Sequence, residues 1–263
     1  MFEYEFMRNA FVAAALVALV AGCTGYFLVL RAQTFAGHAL AHVGFAGATG
    51  AVLVGVPPLW GMLVVSGMAG AGMGLLGEKL EGRDVAIGIV LAVSLGLGLL
   101  FLHFYTAYAG QATALLFGNL LAVDRGTIAI LAALTALSLL ALAALSRPLL
   151  FSTLQPELAE AKGVSLRLIS VLFLVIVAVV TAECAQIVGV LLVFGLMVAP
   201  AAAAQRLTRR LGWGLLASLL LALFDCWVGL ALAYYTDWPS SFWIVSLGAL
   251  TYLSAALAFP DRG

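Results

Sequence analysis

Five titratable side chains lie within long apolar stretches of this sequence: His38, His42, His103, Glu183 and Asp225. Such groups are costly in apolar surroundings and are kept where they line a substrate path or face a bundle interior. His38 and His42 stand four residues apart, which puts both imidazoles on one face of a helix. A pair so placed can share a borderline metal ion such as zinc. The same two rings could instead hydrogen-bond to neighbouring backbone, since no third ligand is near them in sequence. Glu183 and Asp225 have the chemistry to attract a divalent cation, or to serve as hydrogen-bonded structural acids. Each is followed by a cysteine, Cys184 and Cys226. Adjacent residues on a helix point about 100° apart, which works against a mixed carboxylate–thiolate site. With Cys23 there are three cysteines, an odd number without clustered spacing, and they read as free buried thiols.

These residues must be held by membrane-spanning helices. Of the 263 residues, 65% are hydrophobic and 9% charged; soluble domains carry about 25% charged residues. That balance excludes a soluble enzyme, a disordered chain and a nucleic-acid binder. The apolar runs are continuous rather than alternating, which excludes a bacterial-type β-barrel. The net charge of zero says nothing about partners. The expected fold is all-α: one polytopic transmembrane domain over residues 1–263. A span needs about 20 apolar residues. Nine runs qualify, at 9–30, 35–56, 59–77, 85–104, 126–145, 168–187, 189–204, 212–235 and 240–259. A tenth, 112–123, is too short to cross and reads as an interfacial or re-entrant helix.

Charge asymmetry orients the bundle. Nine crossings with the N-terminus outside and the C-terminus in the cytoplasm put ten basic residues inside: Arg31, Lys79, Arg83, Arg147, Lys162, Arg167, Arg206, Arg209, Arg210 and Arg262. Arg8 and Arg125 remain outside. Tyr4, Trp60, Tyr105, Tyr108, Tyr234, Tyr235, Trp238 and Trp243 fall near the outer boundary and Trp213 near the inner one, the level that such rings prefer. Val20-Ala21-Gly22-Cys23 has the form of a lipoprotein cleavage box. The preceding residues are net acidic and the chain stays apolar after Cys23, so an uncleaved first span is expected.

The longest inside connection, 147–167, contains the segment Pro156-Glu157-Leu158-Ala159-Glu160-Ala161-Lys162-Gly163. Proline suits a first helical position, the acids sit toward the positive helix start and Lys162 at its negative end, and Gly163 suits a C-terminal cap. A helix of about two turns follows, marginal in water by itself. It serves either as a connector on the membrane surface or as a docking element for a cytoplasmic partner. In the second span Gly44, Gly47 and Gly50, with Ala46, Ala48 and Ala51, allow close helix approach. Pro200 should kink the seventh. The sequence has no GxxxxGK[ST] phosphate loop, no HExxH and no GxSxG, so it is not expected to act as an enzyme or hydrolyse ATP itself.

Segments 28–51 (LVLRAQTFAGHALAHVGFAGATGA), 83–102 (RDVAIGIVLAVSLGLGLLFL), 115–123 (LLFGNLLAV), 156–164 (PELAEAKGV) and 187–207 (IVGVLLVFGLMVAPAAAAQRL) resemble, in order and spacing, the zinc/manganese permease family of ABC importers. The resemblance implies two permease copies forming a homodimer, two cytoplasmic ATPase subunits that carry the ATP, and an extracytoplasmic metal-binding protein, assembled in the cell (inner) membrane. It implies no resident cofactor, only transported Zn2+ or Mn2+, with iron also possible. Pro156, Glu157, Leu158, Glu160, Ala161, Lys162 and Gly163 would form the segment that meets the ATPase. His38, His42, His103, Glu183 and Asp225 would mark the metal path. The family commonly has Asp where this chain has His38; a His–His pair is softer and tilts the expectation toward zinc. Alternatives are a metal-chelate or cofactor ABC permease, a proton-coupled secondary carrier using Glu183 or Asp225, and a membrane enzyme with structural zinc.

Overall fold

A computed structural model of the chain describes residues 3–76, 82–104, 115–118 and 120–260. They form α1 (Glu5–Leu30), α2 (Thr34–Leu53), α3 (Pro58–Leu75), α4 (Arg83–His103), a 3-10 turn (Leu120–Ala122), α5 (Arg125–Leu154), α6 (Pro156–Ala161), α7 (Leu166–Val188), α8 (Val193–Leu207), α9 (Leu211–Thr236) and α10 (Ser240–Ala258). No strand occurs among the described residues. Seven helices are long and apolar enough to cross a membrane: α1, α3, α4, α5, α7, α9 and α10.

The two other expected spans correspond to α2 and α8, and each departs for its own reason. The 20 residues of α2 are long enough, but two histidines, two threonines and four glycines dilute their apolarity. Most of α2 is buried, so protein rather than lipid surrounds it and strong hydropathy is unnecessary. With 15 residues, α8 reaches only about 22 Å, short of the roughly 30 Å hydrocarbon core. Its helix starts at Val193, four residues after the start of the apolar run at 189–204.

The bundle has an inner and an outer layer. Two thirds of the apolar windows of α1 and α7 are buried, against 11% for α4 and 22% for α10. One group packs α2 between α3 and α4, with α7 against α3; in a second, α8 and α9 pack on α1 and α10 packs on α8 and α9; α5 leans on α1 and α7. Small residues set the tightest crossings. A Cβ on Gly47 would run into the Gly61 carbonyl, and one on Gly61 into that of Gly47. A Cβ on Gly25 would meet the Met197 carbonyl, bringing α1 and α8 together backbone to backbone. Gly22 lies against Leu219, and the Ser218 hydroxyl donates to its carbonyl at 2.7 Å. The small residues of the Val20–Cys23 box therefore serve packing within an unbroken α1.

Short turns alternate between the two ends of the bundle. One end, the Arg31 face, holds the α1–α2 and α8–α9 turns and α6. The other, the Trp238 face, holds the α2–α3 and α9–α10 turns. Asp124 caps α5 by accepting from the Thr127 backbone N–H at 3.0 Å; the Thr127 side chain, and after it that N–H, hold the Asp124 carboxyl below the usual carboxylate range. At 30 residues, α5 extends about 45 Å. It continues past the apolar run at 126–145, through Pro148, and takes up the first part of the expected inner loop. Gln155 then ends α5 and opens α6 without a spacer. Pro156 stands at the first position of α6, as expected from the sequence. Its end is a Schellman motif: Gly163 N–H donates to the Glu160 carbonyl and Val164 N–H to that of Ala159, both at 2.9 Å, with Gly163 at φ +81°.

The stretch expected to be re-entrant, 112–123, is described at 115–118 and 120–123; residues 112–114 and 119 lie outside the described residues, as do Tyr105, Tyr108, Lys79 and Arg262. Its described residues form a helical turn at 115–117 and the 3-10 turn. This stretch crosses the break between α7 and α8, where Val190 N–H donates to the Leu115 carbonyl at 3.2 Å and Leu191 N–H to that of Leu116 at 3.3 Å. Irregular backbone at membrane depth is tolerated only where protein satisfies its polar groups. Here each irregular segment satisfies the other.

Candidate functional site

Helix α2 places His38 and His42 on one face, one turn apart. Their rings meet edge to face with centroids 4.7 Å apart. Counted from Thr34, they stand about 6 and 12 Å along the helix axis. His42 is buried and His38 half-buried. The second residue of α8, Phe194, packs its ring 5.0 Å from that of His38. Thus the short, late-starting helix begins beside the pair, and apolar carbon covers one side of it. Nδ1 of His38 is buried and has no hydrogen-bond partner among the described residues. A buried unpartnered nitrogen carries a desolvation cost. An imidazole that keeps a nitrogen unengaged is suited to transient coordination.

The pair is held from α3. Ser66, fully buried, donates its hydroxyl to the Leu40 carbonyl at 3.2 Å, between the two histidines in sequence. A Cβ on Gly44 would lie 2.9 Å from that hydroxyl, so glycine lets Ser66 reach α2. Toward the Trp238 face, α2 ends beside a cavity of about 550 Å³ lined by Val52, Pro57, Met62, Leu115 and Gln186, among others. Oε1 of Gln186 is buried there without a hydrogen-bond partner among the described residues.

The other candidates stand apart from the pair. Glu183, on α7, is fully buried; Oε1 accepts from the Thr135 hydroxyl of α5, while Oε2 has no partner among the described residues. Asp225, on α9 and also buried, faces Gly248 and Thr251 of α10. His103 ends α4, exposed, with its ring 5.7 Å from that of Phe104. No group of three or more His, Cys, Asp or Glu side chains converges among the described residues. The chain thus offers an ion two imidazoles and separate acids, a weak set compatible with release of a cargo. The three cysteines are free, with Cys184 and Cys226 buried.

Sequence reading missed two participants. Phe194 carried no signal beyond ordinary apolarity. Arg31 counted only as a basic residue at the end of a span. It is 9% exposed, and its guanidinium reaches α5 and α7.

The chain's relatives agree with this architecture. It is 33% identical over 238 residues to a probable metal transport system membrane protein of Treponema pallidum, covering 90% of this chain and 89% of that one. The manganese transport system membrane protein MntC of Halalkalibacterium halodurans is 27% identical over 262 residues, covering 99% and 90%. Among solved structures, a chain of PsaBC from Streptococcus pneumoniae, in complex with Fab, superposes with a TM-score of 0.88 at 26% identity, covering 98% of this chain and 94% of that one. Residues 3–259 match the ABC 3 transport family, and the chain belongs to that family as a multi-pass membrane protein.

Proposed function

We propose that this chain is the permease subunit of an ATP-driven importer of a divalent transition metal ion, with His38 and His42 giving the ion its transient contact inside the membrane. The observation that carries the reading is the histidine pair: one turn apart on a buried helix, with an unengaged nitrogen, beneath a cavity at the Trp238 face. Family membership and the metal named for several relatives support it.

The Arg31 face is the cytoplasmic one. Among the described residues it carries Arg31, Arg83, Arg147, Lys162, Arg167, Arg206, Arg209 and Arg210, against Arg8 and Arg125 at the other end. This puts the N-terminus outside, the C-terminus inside, and α6 where an ATPase can meet it. Leu154 and Leu158 are exposed on that face, apolar surface suited to a protein partner. Two copies of the permease, two ATPases and an extracytoplasmic metal-binding protein complete the importer, in the cell membrane.

Zinc is the favoured cargo. Two neutral imidazoles bind zinc better than manganese, and His38 stands where the family resemblance leads one to expect a carboxylate. Manganese is the second reading, since relatives carry that name. Reconstitution with the ATPase and the binding protein should show ATP-dependent uptake, with zinc entering several-fold faster than manganese or iron. Faster manganese uptake would move the assignment to manganese. Uptake without any ATPase would replace the importer with a secondary carrier.

Glu183 and Asp225 belong to the ion's path in this reading, as buried acids in membrane spans do by default. Glu183→Gln keeps the shape and the bond from Thr135 but removes the charge. Uptake in vesicles is expected to fall about tenfold, roughly 1.4 kcal/mol of lost stabilisation, with yield of assembled complex unchanged. Full uptake by this variant would make Glu183 a packing acid.

A further inference from the structure

The α1–α2 turn contains a buried cation that touches the root of α6. Only Arg31, Ala32 and Gln33 separate α1 from α2. The turn is closed by Arg31 N–H to the Phe27 carbonyl and Gln33 N–H to that of Leu28, both at 3.0 Å, and it holds Ala32 at φ +52°. A non-glycine residue in that region is retained only where its surroundings fix it. The turn is therefore a stiff element that moves with the start of α2, and His38 lies one helical turn inside.

The Arg31 side chain runs away from this turn into the end of α5. Nη1 donates to the Thr153 hydroxyl at 2.7 Å, the Ser152 hydroxyl at 3.1 Å and the Leu149 carbonyl at 3.4 Å. The guanidinium carbon stands 5.7 Å from the Phe173 ring centroid of α7. These acceptors occupy the last two turns of α5, and Gln155 joins that helix directly to α6. The helices on either side of α6 thus both touch one guanidinium. All three acceptors meet Nη1 while the flat guanidinium faces the Phe173 ring, a combination that a point-charge ammonium reproduces only in part.

We propose that Arg31 is the positioning residue through which displacement of α6 by the ATPase reaches α2 and its histidines. It touches no ion and binds no nucleotide; it ties the driven element to the gated one. Pulling the 149–153 segment moves the guanidinium, the guanidinium moves the stiff turn, and the turn moves the start of α2.

The inference rests on the importer reading, and the test separates the two. Permease, ATPase and binding protein are reconstituted in vesicles, and ATP hydrolysis and ion uptake are measured on the same preparation. For Arg31→Met, uptake is expected to fall at least tenfold while hydrolysis stays within twofold of wild type, so that ATP consumed per ion rises in proportion. Arg31→Lys should recover part of the coupling. The double variant Ser152→Ala with Thr153→Val removes acceptors at the far end of the contact and leaves the arginine in place; it should raise the same ratio, and it decides the matter if Arg31→Met does not assemble. An unchanged ATP-to-ion ratio in the assembled variants, whether both rates hold or both fall together, overturns the role of Arg31. Wild-type vesicles that hydrolyse ATP without uptake, or take up ions without ATP, overturn the importer reading and this inference with it.

Discussion

Replacing both His38 and His42 by alanine is expected to reduce ion uptake to the level of vesicles without the complex, while the complex still assembles. The two halves of this expectation rest on different contacts. The expected loss of uptake rests on the imidazoles, because the described residues bring no third His, Cys, Asp or Glu to them. With both removed, the midsection of α2 offers an ion only backbone already bound within the helix. Assembly depends on other groups. Helix α2 is fixed to α3 by the hydroxyl of Ser66 on the Leu40 carbonyl and by the reciprocal approach of Gly47 and Gly61. Losing the buried His42 ring leaves a void costing about 2–5 kcal/mol, and the half-buried His38 ring adds less, within reach of a large bundle. Size-exclusion chromatography of the complex and uptake by the same material measure the two halves. Undiminished uptake would remove the histidines from the path. A companion variant, His38→Asp, adds a hard, charged ligand; it should retain uptake and shift preference from zinc toward manganese.

The histidine pair was readable because its spacing is local: residues four apart share a helical face wherever the helix lies. The acids were readable as acids, but their surroundings were not. Thr135 meets Glu183 across 48 positions of sequence, and nothing near either residue announces the other. The same holds for Arg31, whose acceptors lie 118 to 122 positions away. Hydropathy located the helices because lipid imposes a uniform demand on whatever faces it. Its signal weakens, or stops short of a helix's end, where that demand lapses. Protein surrounds α2, so its polar and small residues weaken the apolar signal without exposing anything to lipid. The far end of α5 leaves the apolar layer and persists as a helix through Leu154, where a loop was the natural reading. Residues 189–192 are apolar yet not helical: the amides of Val190 and Leu191 go to the carbonyls of Leu115 and Leu116 rather than to the preceding turn. By contrast, Pro156 and Gly163 delimit α6 through backbone geometry that each residue carries with it, and the sequence displayed both ends of that helix.

The break itself supplies the other large expected effect. Gly189→Val should prevent accumulation of folded protein in the membrane. Two independent costs fall on that substitution. Gly189 has φ +92°, a conformation that β-branched residues essentially avoid, costing about 1–3 kcal/mol. Its Cβ would also be driven into the backbone of Phe117 and Gly118, while a Cβ on Gly118 would strike Ile187 and Val188 in return. Overpacking against backbone costs about 1–3 kcal/mol or more, because no side chain can rotate away. If 115–118 is pushed off, the amides of Val190 and Leu191 lose the carbonyls of Leu115 and Leu116. Each then becomes an unsatisfied donor, at about 1–3 kcal/mol apiece. The total approaches the whole stability of an ordinary domain, about 5–15 kcal/mol. Gly96→Ala in α4 is the control, since a Cβ there meets nothing within 4 Å and alanine is the better helix former. Membrane yield and thermal unfolding in detergent should show the control at or above wild type and Gly189→Val near zero. A Gly189→Val protein of normal yield and melting temperature would mean that the crossing of 115–118 over the break does not hold α7 and α8 together.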